Sequence, residues 1–155
     1  MCKQSPILVV EDDPNDAFLL ERALIKAQVS APIHFFRDGQ EVLDYLQGIA
    51  AFGTPTVQPL PGLLLLDLKM PLIDGFEVLQ WLRARPVFDS MRVIILSGLE
   101  DQASIERACA LGADDYWLKP KDPTQLVRLL RHLTQSPGPA AQDLAPTVQS
   151  LAQAT

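Results

Sequence analysis

Basic residues are in short supply in this chain. Thirteen Lys and Arg face nineteen Asp and Glu, leaving a net charge of −6. A protein that grips nucleic acid by neutralising many phosphates needs a basic face, so that class of function is set aside. Cysteine is scarcer still, and Cys2 and Cys109 form no spaced framework for disulfides or zinc. With few thiols and no secretory leader ahead of the first apolar run, a reducing cytoplasm is the expected compartment. No apolar run approaches the roughly 18 residues that span a bilayer, so no membrane partner is expected. Neither GxGxxG nor GxxxxGK[ST] follows the first strand-like segment, which argues against a nucleotide-binding domain. The two histidines, His34 and His132, have no nearby Cys and read as structural residues rather than ligands.

Apolar residues, by contrast, are plentiful. At 48% of 155 residues they suffice for a single core, and a chain of this size buries about 70% of its unfolded surface without help from disulfides or structural metal. Five short runs read as strands: Pro6 to Val10, Pro32 to Phe36, Gly62 to Leu66, Met91 to Leu96 and Asp114 to Leu118. The third and fourth contain LLLL and VIIL, the composition of strands buried on both faces of a parallel sheet. Helical spacing separates and follows them, in Ala17, Leu20, Leu24 and Ala27, in Val42, Leu43, Leu46 and Ile49, and in Phe76, Leu79 and Leu82. Ile105, Ala108, Cys109 and Leu111 make a fourth stripe, and Leu126, Leu129, Leu130 and Leu133 a fifth. Strict alternation predicts an α/β fold, a (βα)₅ doubly wound parallel sheet in a three-layer sandwich with right-handed crossovers. The domain is expected over residues 5–134. Ala50 to Pro61 reads as an insertion-like connection. Residues 135–155 read equally as a flexible extension or, through Leu144, Val148 and Leu151, as a short docking helix.

In such folds ligands meet the carboxyl ends of the strands. Glu11 and Asp12 end the first strand, Asp67 the third, Ser97 the fourth and Lys119 the fifth. Two like charges about 4 Å apart repel by roughly 4 kcal/mol at an effective dielectric near 20, so three carboxylates at one mouth want a cation. Oxygen ligands favour Mg²⁺ or a close relative, an ion that commonly shares a substrate phosphate. A carboxylate is also a competent nucleophile toward phosphorus. Blander readings exist: Glu11 and Asp12 as solvated loop acids, Asp67 as a cap, and Ser97 before Gly98 as a turn. Asp13 followed by Pro14 reads as a helix N-cap with Pro at the first helical position, and Asp16 falls in that first turn. Both are assigned structural roles and excluded from the site. Pro120 fixes the loop behind Lys119, with a cis bond as one way of doing so.

Together VVEDDP at 9–14, LLLLDLKMPLIDGFEVL at 63–79, IILSG at 94–98 and LGADDYWLKP at 111–120 resemble the receiver domain of two-component response regulators. The resemblance implies the strand order 2-1-3-4-5. It implies that Asp67 accepts a phosphoryl group from a histidine kinase phosphohistidine, and that Asp12 and Asp67 bind Mg²⁺ directly. Glu11 would act through metal-bound water, and the Lys69 backbone carbonyl would complete the protein ligands. Ser97 would be the switch hydroxyl, Tyr116 an aromatic that turns inward on phosphorylation, and Lys119 the phosphate-pairing lysine. Pro71 and Gly75 match the loop that follows the acceptor.

FFRDGQEVLDYLQG with the lengthened connection after it resembles stand-alone regulators paired with bacterial phytochromes, which often form homodimers. That implies a signalling protein rather than an enzyme, a sensor kinase partner, and a dimer through the fourth helix, fifth strand and fifth helix. Arg107, Asp114, Asp115 and Arg128 would then be available as cross-subunit charges. The roughly twenty residues after Thr134 are too few for a DNA-binding module, which agrees with the acidic charge balance. Departures from the family pattern are Lys121-Asp122, where many relatives carry an aromatic, and the bulk of Lys69 and Leu99 flanking the path of attacking water. An aspartyl phosphohydrolase would want a second acid two residues after Asp67, where Lys69 stands. A receiver-like module without chemistry would lack the acceptor, a metal acid or the lysine, and all are present.

Overall fold

Five parallel strands lie side by side in the order β2-β1-β3-β4-β5. In the computed structural model, which describes residues 5–51 and 60–135, they are β1 Ile7–Val10, β2 Ile33–Phe36, β3 Leu63–Leu66, β4 Arg92–Ser97 and β5 Asp115–Leu118. Five helices alternate with them: α1 Pro14–Lys26, α2 Gly39–Ala51, α3 Gly75–Arg83, α4 Gln102–Ala110 and α5 Pro123–Gln135. The sheet order is the predicted one, and the expected strand and helix of each pair are all present.

Because side chains alternate across a strand, each central strand feeds two cores. Leu8, Val10, Leu64, Leu66, Val93 and Ile95 point to the face covered by α2, α3 and α4, where they meet Val42, Leu46, Leu79, Leu82, Ile105 and Ala108. Ile7, Val9, Leu63, Leu65, Ile94 and Leu96 point the other way, toward Leu20, Leu24, Leu129 and Leu130 of α1 and α5. Every residue of β1 and β3 is buried, which explains their unbroken apolar sequence. β2 lies at an edge, so its residues are only half-buried or exposed.

Each of the five helices is preceded by an aspartate that accepts from a first-turn backbone N–H, Asp38 from Glu41 before α2 and Asp122 from Thr124 before α5 among them. The Asp13 carboxylate accepts from the backbone N–H of Asn15 and Asp16, Asp74 from that of Glu77, and Asp101 from that of Ser104. Such a cap is worth about 1 kcal/mol and satisfies N–H groups that the helix itself cannot. The predicted cap at Asp13 with Pro14 in the first turn is present.

Some expectations need correction. Cys109 belongs to the α4 sequence stripe but is exposed, since Ile105 and Ala108 alone carry the buried face of that helix. A short 3₁₀ helix at Pro86–Phe88, unforeseen in the periodicity, buries Phe88 before β4. The described residues contain no cis peptide bond, so Pro120 shapes its loop in the trans form. Most of the Ala50 to Pro61 connection and all of the segment from 136 onward lie outside the described residues. No helix among the described residues is long and apolar enough to cross a membrane.

Gly75 fixes the chain path leaving β3. A Cβ there would run into the Asp67 carbonyl oxygen and stand 2.7 Å from the Leu68 Cα, both backbone atoms that cannot swing aside. Gly75→Ala is therefore expected to destabilise the fold by about 1–3 kcal/mol, the usual cost of overpacking. A urea unfolding midpoint equal to that of the parent would contradict this.

Candidate functional site

The register of the sheet decides what meets at its carboxyl edge. Val10 of β1 lies beside Leu66 of β3, so Glu11 and Asp67 leave adjacent strands at the same level, and the Asp67 N–H donates to the Val10 carbonyl at 3.2 Å. Ser97 pairs with Leu118, and the Lys119 N–H donates to the Ser97 carbonyl at 2.9 Å. Residues from four segments far apart in sequence thus line one cleft of about 400 Å³, which includes Glu11, Asp12, Asp67, Lys69, Ser97 and Lys119. The strand order reverses between β1 and β3, since the chain steps outward to β2 on one side and to β3, β4 and β5 on the other, the usual place for a ligand in such sheets.

Carboxylate oxygens of Glu11, Asp12 and Asp67 all lie within 4.8 Å of one another. Glu11 and Asp67 are buried, whereas Asp12 is exposed at the mouth. This all-oxygen set is the chemistry that a hard divalent cation prefers over a soft one. The Lys69 N–H approaches Asp67 Oδ1 at 3.4 Å, so the chain turns around the carboxylate immediately after β3.

The Lys119 ammonium faces these acids. Lys119 Nζ stands 2.7 Å from Glu11 Oε1, 2.7 Å from Asp16 Oδ2 and 3.3 Å from Asp67 Oδ2. Asp16, assigned above to the helix terminus alone, therefore also belongs to this cluster. The first turn of α1 aims its side chain at the end of β5, a juxtaposition that spacing 103 residues apart could not reveal. Asp13, by contrast, is committed to its cap.

Burial by itself would lower the Lys119 pKa, yet its hydrogen bonds to Asp16 and Glu11 and the nearby Asp67 charge hold it above the ordinary lysine range. Glu11 goes the opposite way for an acid: burial pushes it up to about 8, with Asp67 adding to the rise and Lys119 only partly opposing it.

Ser97 is fully buried, and its Oγ accepts from the Leu99 N–H at 3.2 Å. Tyr116 is fully buried, with its hydroxyl donating to the Leu99 carbonyl at 2.7 Å. Burial raises the phenol pKa, and the hydrogen bond with Ser97 offsets part of that. Ser97 and Tyr116 thus hold the segment after β4 from below.

The charges considered for a cross-subunit role are mostly engaged within the chain. Asp114 pairs with Arg83 at 2.8 Å and accepts from the Val93 N–H at 2.7 Å. The Arg107 guanidinium lies over the Phe76 ring, 4.1 Å from its centroid. Asp115 accepts from the Tyr116 N–H and from Trp117 Nε1. His34 and His132 take no part in the cleft, and His34 packs against Tyr45.

The raised Glu11 value carries a sign. The folded protein keeps a proton on Glu11 between its ordinary 4.5 and about 8, so its stabilising contribution is full below the lower value and is lost as pH rises through the upper one. With a chelator present, the parent is expected to lose thermal midpoint across that window more steeply than Glu11→Gln. Parallel melting profiles by circular dichroism would count against it.

Comparison with known proteins agrees with this geometry. The response regulator receiver domain model matches residues 7–131. The chain is 31% identical over 141 residues to "Probable methanogenesis regulatory protein FilR2" of Methanothrix harundinacea (strain 6Ac), covering 86% of this chain and 88% of that one. Response regulator RPA3017, in red light signaling of R. palustris, superposes with a TM-score of 0.74 at 32% identity, over 88% of this chain and 97% of its own. The phosphorylated cyanobacterial phytochrome response regulator RcpA gives the same TM-score and coverage at 27% identity. By sequence, topology and the acids gathered at the sheet edge, this chain belongs to the response regulator receiver domain family.

Proposed function

We propose that this protein accepts a phosphoryl group on Asp67 from the phosphohistidine of a sensor histidine kinase and signals through the resulting change of shape. The observation that carries the reading is the gathering of Glu11, Asp12 and Asp67 within 4.8 Å, with the Lys119 ammonium 3.3 Å from Asp67. Asp12 and Asp67 would hold Mg²⁺ directly, Glu11 through water, with the Lys69 carbonyl as the remaining protein ligand. The ion, when bound, supplies positive charge to phosphoryl oxygens.

In the transfer, an Asp67 carboxylate oxygen attacks phosphorus in line. An O–P bond forms as the N–P bond breaks, and the imidazole leaves with the electron pair. Lys119 offsets charge on the phosphoryl oxygens. Ser97, at the next strand end, would donate its hydroxyl to one of them, loosening its present hold on the Leu99 N–H. Tyr116, buried with its hydroxyl on the Leu99 carbonyl, would take part in a shift between pre-existing arrangements of the face made by α4, β5 and α5.

The readout would be a signalling contact, not turnover of a substrate. A second copy on the face made by α4, β5 and α5 is the proposed partner, with a bacterial phytochrome as the candidate kinase, in line with the light-signalling descriptions of RPA3017 and RcpA. Residues 5–134 form the proposed receiver unit and 135–155 an extension from it, in the cytoplasm.

Incubation with acetyl phosphate and Mg²⁺ is expected to retard the parent, but not Asp67→Asn, on a Phos-tag gel, and to change its mass by light scattering. A gel shift that survives the substitution would assign another acceptor. Once formed, the acyl phosphate is expected to hydrolyse faster in Lys69→Ala and Leu99→Ala, because both side chains line the cleft beside Asp67. Unchanged phosphate loss in both variants would remove shielding by these residues from the scheme.

A further inference from the structure

Lys119 has three ammonium protons and three carboxylates to receive them. The two short contacts, 2.7 Å each, go to Glu11 and Asp16, and the longest, 3.3 Å, goes to Asp67. That last distance is beyond the usual N–H···O range, so the ammonium leans away from Asp67. Glu11 is buried on the end of β1, but the Asp16 side chain is 41% exposed on the first turn of α1. Asp16 is thus the member of the trio that water can replace.

We propose that Asp16 is a positioning residue for phosphoryl transfer, holding the Lys119 ammonium off the Asp67 carboxylate so that Asp67 stays open to a cation and to phosphorus. This rests on the reading of Asp67 as acceptor. Without the Asp16 carboxylate, the freed N–H of Lys119 settles on Asp67, masks one of its oxygens and competes with the cation for it. When a phosphoryl group arrives, Lys119 exchanges Asp16 for a phosphoryl oxygen, and water takes up the exposed carboxylate.

The test pairs two readouts. Mg²⁺ affinity is taken from the rise of the thermal midpoint with Mg²⁺ concentration, with no phosphate donor present. Phosphorylation by acetyl phosphate is followed on Phos-tag gels. Asp16→Asn is expected to weaken Mg²⁺ binding and to slow phosphorylation, each by roughly three- to tenfold, the scale of one partly exposed charge-assisted contact. Asp16→Glu should restore most of both. In a Lys119→Ala background, most of the effect of Asp16→Asn on Mg²⁺ affinity should disappear, because its route is gone.

An equal effect with and without Lys119 would overturn the proposal in favour of simple long-range charge. So would an Asp16→Asn variant matching the parent while the parent is phosphorylated on Asp67. Failure of the parent itself to be phosphorylated on Asp67 would sink the acceptor reading instead, a separate outcome.

Discussion

Mutual repulsion among carboxylates at one sheet edge is the constraint on which this molecule is organised. Three acids with oxygens within 4.8 Å of one another share a cleft with the Lys119 ammonium, and each unscreened like-charge pair costs several kcal/mol at such separations. The protein meets that cost in two ways. Glu11 retains its proton to about 8 because burial outweighs its ion pair, and Lys119 makes two short contacts, to Glu11 and Asp16, while standing 3.3 Å from Asp67. Neither removes the excess of negative charge, and a cluster of oxygen donors of this kind favours a hard cation.

The rest of the fold holds those charges in place. Apolar strands with cores on both faces leave little freedom in where their ends fall, so the ladder between Val10 and Leu66 sets the distance between Glu11 and Asp67. Gly75 lets the chain return close to the Asp67 backbone, where a Cβ would collide with it. Caps at Asp13, Asp74 and Asp101 satisfy first-turn N–H groups and fix where α1, α3 and α4 begin.

The edge of the cleft is tied to its surroundings through Leu99. Ser97 holds the Leu99 N–H and Tyr116 holds the Leu99 carbonyl, so both polar groups of one residue are tied to side chains beside Asp67. A change in what Ser97 binds must therefore alter the restraint on the segment that leads into α4. The α4 helix is also tied to α3 through Arg107 stacked over Phe76, close to the turn after Asp67. Discrete hydrogen bonds and packed rings thus join the edge of the cleft to the start of α4 and to α3.

Much of this was legible in the linear order of residues. Runs such as LLLL and VIIL can be satisfied only by burial on both faces, which dictated a parallel sheet, and the acids, serine and lysine that end such runs had to meet at its carboxyl edge. The Asp13 cap was equally readable because it is a local contact over two or three positions. Other features depended on three-dimensional placement. Cys109 shares the spacing of the α4 stripe, but the helix is rotated so that Ile105 and Ala108 face inward. Asp16 carries a first-turn signature that fully explains its presence, yet the tertiary fold also brings it to Lys119, just past the end of β5. Sequence determined which groups reach the rim, since that follows from periodicity and chain alternation. Only the tertiary structure decided which of them touch, because contact distances are set by helix rotation and strand register, quantities that no local pattern encodes.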